Sequence, residues 1–283
     1  MQLFDGELEK IRLQKLLFLF TQKQEAKAYD FVPYKFGCFS YSANADLTAM
    51  VGKDMISETE SHFRSKEKID YLMLLKESDR KQVLEVKQLY GSLSANALMK
   101  HTYVNFPYWA TKSVKAQSIL TEKELVRVQA SQPTAEEVAL FTIGYEGISL
   151  EEYLNRLIQN NVKVLVDVRN NPLSMKYGFS KSQLKRFCEN LGLLYVHLPE
   201  VGIQSEQRQQ LNNQRDYDQL FEAYRKNNLT KTVSTQKEIL NLLEKHKRIA
   251  LTCFEANICQ CHRKHLAEAV ENLPGFTYVV KHI

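Results

Sequence analysis

Four stretches of this chain end an apolar run on ionisable residues: Gly144-Tyr145-Glu146, Asp167-Val168-Arg169, His197-Leu198-Pro199-Glu200 and Cys253-Phe254-Glu255. Asp167 is the sharpest of them. Its neighbours Val164, Leu165, Val166 and Val168 should be buried, and a carboxylate among them is costly unless paired or hydrogen-bonded. Arg169 projects to the same side of a strand. The two could form a structural ion pair. Alternatively, Asp167 orients water or stabilises developing positive charge while Arg169 holds a phosphate.

Beyond Arg169 the chain carries Lys176, Lys181, Lys185 and Arg186 with no acidic residue up to position 186, and Tyr177 and Phe179 lie among the cations. Such a segment is either a solvated loop or a phosphate-capturing one whose aromatics stack on bases. Further on, Cys253, Cys259, Cys261 and His262 invite a zinc reading. The linear spacing, Cys-x5-Cys-x-Cys-His, is not a usual finger pattern, so no metal and no cofactor is expected. Cys261 at a helix start could instead be a nucleophile. The favoured assignment makes Glu255 a site carboxylate, with His262 and Arg263 binding an anion at the mouth of the next helix. Asp167 and Glu255 would divide acid and base roles, with His197 as a third catalytic candidate. Tyr145, Arg169, Lys176, Tyr177, Lys181, His262 and Arg263 would contact the substrate and its phosphates.

These residues need strands to present them. Phe141–Tyr145, Lys163–Val168, Leu194–Leu198, Arg248–Phe254 and Phe276–Val280 read as five strands. They alternate with helices after Ser149, after Ser180, over 216–224, over 236–246 and over 263–272. Ser149 with Glu152, and Ser180 with Gln183, have capping-box spacing. Alternation of this kind implies a mostly parallel sheet with helices on both faces, whose ligands sit beyond the carboxyl ends of the strands. The fold class is therefore α/β, with an N-terminal, mainly helical, winged-helix-like domain. That domain is expected over 1–127, a linker over 128–138 and the α/β domain over 139–283. In the first part Ile11, Leu13, Leu16, Leu17, Leu19 and Phe20 give a helical apolar face. Tyr29–Ser40, broken by Pro33 and Gly37, looks like a short hairpin, and helices follow near 42–51, 78–90 and 94–103. A helical docking or dimerisation domain fits the same pattern, because no helix shows a dense basic stripe.

The 283 residues suffice for two domains, and the five cysteines, an odd number, argue against a disulfide framework. A net charge of +5, spread over both halves, permits nucleic-acid binding without demanding it. Asp5, Glu7 and Glu9 stand where a signal peptide would be positive, so the start is expected to be an amphipathic helix of a cytoplasmic protein.

Several of these motifs together resemble a known bacterial and archaeal family. They are Thr142–Gly147, Ser149–Glu152, Val166–Arg169 with Asn171-Pro172, Phe179–Lys181, Tyr195–Glu200, and Cys253–Glu255 with Cys261–Arg263. The family is the one catalogued as domain of unknown function 488, and the resemblance covers about Phe141 to Val270. Val201-Gly202-Ile203 departs from the Leu-Gly-Gly common in the family, and Cys259 lies outside its pattern. The N-terminal half, through Leu13–Leu17, Tyr34–Gly37, Phe39-Ser40 and Asp46-Leu47, is similar to antitoxin-like and phage-associated domains.

The expected function is a nucleic-acid-directed, metal-independent hydrolase. Base excision by N-glycosidic cleavage, as in a DNA glycosylase, suits this set, with Tyr145 or Tyr177 stacking on an extruded base. Its setting would be DNA repair or phage defence. DNA is the expected partner, a homodimer is allowed, and no membrane is involved. The alternative is a DNA-binding regulator whose α/β domain senses a phosphorylated ligand.

Overall fold

In the computed structural model, which describes residues 1–204, 207, 211 and 213–283, the chain forms two compact units, Met1–Gln132 and Pro133–Ile283. No helix among the described residues is long and apolar enough to cross a membrane.

The first unit contains β1 (Glu7–Glu9), α1 (Lys10–Thr21), β2 (Val32–Tyr34), β3 (Gly37–Phe39), α2 (Tyr41–Gly52), β4 (Ile56–Glu58), β5 (His62–Ser65), α3 (Glu77–Tyr90), α4 (Ala95–Asn105), α5 (Ala116–Ile119) and α6 (Glu122–Ala130). β2 and β3 make the hairpin expected around Pro33 and Gly37. The antiparallel sheet β1-β5-β4 was not legible in the pattern, because strands of three or four residues give too few alternations. Helix α6 runs to Ala130 and buries Val128, so it takes up the first residues of the expected linker.

The second unit contains β6 (Ala139–Gly144), α7 (Leu150–Gln159), β7 (Val164–Asp167), α8 (Lys181–Asn190), β8 (Leu194–His197), α9 (Gln214–Tyr224), α10 (Val233–His246), β9 (Arg248–Cys253), α11 (His262–Glu271) and β10 (Val279–His282). Its five strands are parallel, in the order β10-β6-β9-β7-β8. β6, β7 and β9 are buried throughout, as their continuous apolar runs require. Leu140, Val164, Val166, Ile249 and Leu251 pack on Ile239, Leu240 and Leu243 of α10, Leu266 and Val270 of α11, and Phe221 of α9. The alternate residues face α7 and α8. There the Tyr153 hydroxyl donates to Thr252 Oγ1 at 2.7 Å. The last strand lies three residues later than expected, since Phe276 and Tyr278 pack against the core before the strand begins.

Two helix starts differ from their spacing. Ser149 accepts from the Glu152 backbone N–H at 3.0 Å and caps α7. Ser180 instead donates its hydroxyl to Gln183 Oε1 at 3.1 Å and does not cap the backbone of α8. Chain direction separates at the centre of the sheet: β7 connects onward to the β8 edge, and β9 connects towards β10. The carboxyl ends of β7 and β9 therefore flank a topological switch point, where open α/β sheets have a crevice.

Candidate functional site

Asp167, the last residue of β7, is fully buried, and Arg169 is only 6% exposed. Oδ1 of Asp167 accepts from the Arg169 backbone N–H at 3.1 Å and from Nε at 2.8 Å. Oδ2 accepts from Arg169 Nη2 and from the Tyr195 hydroxyl at 2.6 Å. Arg169 Nη1 donates to the Tyr145 hydroxyl and to the Phe179 carbonyl, each at 2.8 Å. Burial works against the Arg169 charge, but the Asp167 carboxylate more than offsets it and raises the pKa of the guanidinium. Burial, followed by the Asp167 charge, pushes the Tyr195 phenol upward, so Tyr195 stays protonated as a donor.

This geometry is that of the ion pair, one of the two uses the sequence offered for these residues. Asp167 meets donors at both oxygens and has no exposed surface, the arrangement of a structural carboxylate. Arg169 donates into the same network and ties strand β7, the Phe179 carbonyl and Tyr145 together at the cavity wall.

The surrounding candidates also act on the protein itself. Lys176 donates to the Tyr145 carbonyl at 2.8 Å. His197 Nε2 is 2.9 Å from the Arg169 carbonyl. A carbonyl only accepts, so Nε2 carries the proton, and Nδ1 accepts from the Lys181 ammonium at 2.8 Å. His197 thus bridges the backbone at Arg169 and the Lys181 ammonium. Tyr145 is buried and stacks on Phe179 with ring centroids 4.2 Å apart, so that face is not open to a base. Tyr177 is partly exposed against Phe187.

At the end of β9 a second set assembles. Arg263 donates to the Glu255 and Ala256 carbonyls, and Glu146 Oε2 accepts from the Ala256 N–H at 2.9 Å. Arg263 therefore fixes the loop after β9 through its terminal nitrogens. The Cys253 thiol donates to Glu255 Oε2 at 3.1 Å. His262 Nε2 donates to the Val168 carbonyl at 3.1 Å, and Nδ1 lies 3.6 Å from Cys253 Sγ. Cys253, Cys261 and His262 are all buried with their donor atoms within 4.8 Å of one another. Linear spacing hid this group, because Cys253 comes from a strand end while Cys261 and His262 come from a helix start. Burial, and then the Cys253 neighbour, raises the Cys261 thiol well above its ordinary value, which opposes its use as a thiolate nucleophile.

The two sets meet at one cavity of about 300 Å³. It is lined by Tyr145, Arg169, Cys253 and His262 from the strand ends and the start of α11, and by Asn170, Asn171, Ser174, Ile203 and the exposed Leu173, Met175 and Phe254. Three of the four chemistry-bearing strand ends thus converge on a single crevice. The fourth reaches it only through His197 and the Arg169 backbone. Asn170, Asn171, Ser174 and Phe254 were missed as lining residues. Their one sequence signal was position, immediately after a strand that ends in a buried charge.

The fold and this crevice define a parallel α/β domain with a ligand-sized recess at the switch point of its sheet. The model of the family described as "Domain of unknown function DUF488" matches residues 149–270, within the second unit. No curated protein and no solved structure gives a match.

Proposed function

We propose that this chain is a nucleic-acid-directed hydrolase that removes a base by cleaving its N-glycosidic bond, in DNA repair or in defence against foreign DNA. The observation that carries this reading is the crevice. At about 300 Å³ it suits one nucleoside-sized unit rather than a polymer groove, so a base in duplex DNA would have to be extruded to enter it. Phe254, exposed at the cavity wall, takes the stacking role first assigned to Tyr145. Asn170, Asn171 and Ser174 supply hydrogen-bonding groups for the edge of a base.

Glu255 is the working carboxylate in this scheme. It is half-buried and follows Phe254, which lines the cavity, while Asp167 is sealed. Its carboxylate accepts a proton from water. The water oxygen bonds to the anomeric carbon as the carbon–nitrogen bond breaks, and the base leaves with the electron pair and takes up a proton. The same carboxylate stabilises the oxocarbenium-like charge that develops. The first unit, read as winged-helix-like, binds the DNA.

The test is base release. Incubation with plain and modified DNA, followed by an aldehyde-reactive probe, should reveal abasic sites that Glu255→Gln abolishes while DNA affinity stays within about twofold, a change worth under 1 kcal/mol. Absence of abasic sites on every substrate, with binding intact, would sink the hydrolase. One observation favours the second reading, a non-enzymatic regulator whose α/β domain senses a ligand: Asp167 is sealed and paired with Arg169, as suits a structural carboxylate. In that case Glu255→Gln would change ligand affinity, with no turnover to lose.

A further inference from the structure

We propose that Cys253, Cys261 and His262 form a site for a divalent cation of the zinc class. Their donor atoms lie within 4.8 Å of one another. For zinc–sulfur and zinc–nitrogen bonds of ordinary length, two donors on a tetrahedron stand about 3.6 Å apart. Cys253 Sγ and His262 Nδ1 are at that separation, 3.6 Å. The His262 ring is also set for ligation. Its Nε2–H donates to the Val168 carbonyl at 3.1 Å, which makes Nδ1, on the Cys253 side, the acceptor nitrogen. A backbone carbonyl on the far nitrogen is the usual outer partner of a metal-bound histidine.

The fold supplies this convergence without strain on the sequence. Cys253 ends β9, where its register is fixed opposite Gly144 of β6. Cys261 is the N-cap of α11 and His262 its first residue. Two cysteines in a core are ordinary, since free cysteine packs as a small hydrophobe. A buried imidazole with its second nitrogen on a sulfur is not explained by packing alone. Cys253 and His262 line the 300 Å³ cavity, so an ion held there would be reached from it. The ion would join the end of β9 to the start of α11 and close the loop over 254–260, which carries Phe254 and Glu255. The site does not depend on the proposed hydrolase activity.

Cobalt(II) is the probe, added to the reduced full-length protein. One equivalent should produce a thiolate-to-cobalt charge-transfer band and intense tetrahedral visible bands, both bleached by one equivalent of zinc. Cys253→Ser, Cys261→Ser and His262→Gln should each lose the band, and Cys259→Ser, altering the exposed cysteine of the same loop, should keep it. Because buried substitutions can unfold a domain, alkylation of the unmutated protein is the second measurement. Zinc should slow labelling of Cys253 and Cys261 and leave Cys259 unchanged. Equal labelling with and without zinc, no charge-transfer band in protein with titratable thiols, or loss of the band in Cys259→Ser would overturn the site. Base release is read separately, so either result can fail alone.

Discussion

At Asp167 a carboxylate with no exposed surface receives two N–H bonds from the Arg169 side chain, one from its backbone and one from the Tyr195 hydroxyl. Removing the charge leaves the Arg169 guanidinium buried and unpaired. Asp167→Asn should therefore cost about 3–5 kcal/mol, read as a drop in the urea midpoint at unchanged m-value. A loss under about 1 kcal/mol would mean that the pair behaves like a surface bridge and that Arg169 has another partner. Glu255→Gln should leave stability within about 0.5 kcal/mol, because the residue is half-buried and its loop is held by Arg263 through backbone carbonyls. The sequence located Asp167 and Arg169 and offered the ion pair as one of their two uses. It could not choose between them, because the deciding groups, Tyr195, the Phe179 carbonyl and the Tyr145 hydroxyl, come from three separate segments.

The elements that position the site were legible wherever a run was long enough to state its period. β6, β7 and β9 carry unbroken apolar runs, and α7 announces itself through Ser149 and Glu152. β10 was misplaced because Phe276 and Tyr278 look like strand residues but serve the core from an irregular segment. The approach of the loop after β9 to the end of β6 was also invisible, though Gly144 marks it. A Cβ there would sit 2.0 Å from the Glu255 carbonyl oxygen and 3.1 Å from an Arg263 nitrogen. Gly144→Ala must displace that loop. It should destabilise the domain by about 1–3 kcal/mol and weaken cobalt binding, both measurable on one sample. Unchanged melting and an unchanged cobalt spectrum would show that the loop adjusts freely. The two helix starts make a matched pair. Ser149→Ala removes an acceptor for the Glu152 N–H and should cost about 1 kcal/mol, whereas Ser180→Ala breaks only a bond between side chains and should cost less. Equal losses in chemical denaturation would contradict the difference in capping.

At the scale of the whole chain, each unit has hydrophobic clusters of its own among the described residues. The clusters around Phe18, Met99 and Ile56 draw on the first unit, and the cluster around Val166 and Leu251 draws on the second. Two cooperative transitions are therefore expected on heating, and one residue should label the first of them. Lys15 is 2% exposed and donates to the Cys38 carbonyl at 2.7 Å. Burial lowers its pKa from 10.5. Between that lowered value and 10.5 the unfolded chain holds a proton that the folded chain has released, so the stability of the first unit rises with pH through this window. Below the window both states are protonated and the full cost of burying the ammonium remains. The Cys38 thiol acts in the opposite sense above 9.0, because burial raises its folded pKa and the unfolded chain ionises first. Comparison with Lys15→Met separates the two effects. The stability of the unmutated chain relative to Lys15→Met should increase as pH rises towards 10.5, in the first transition only. A difference that stays flat with pH would mean that Lys15 is charged in the folded unit at every pH tested. A difference appearing in both transitions would mean that the units do not unfold independently.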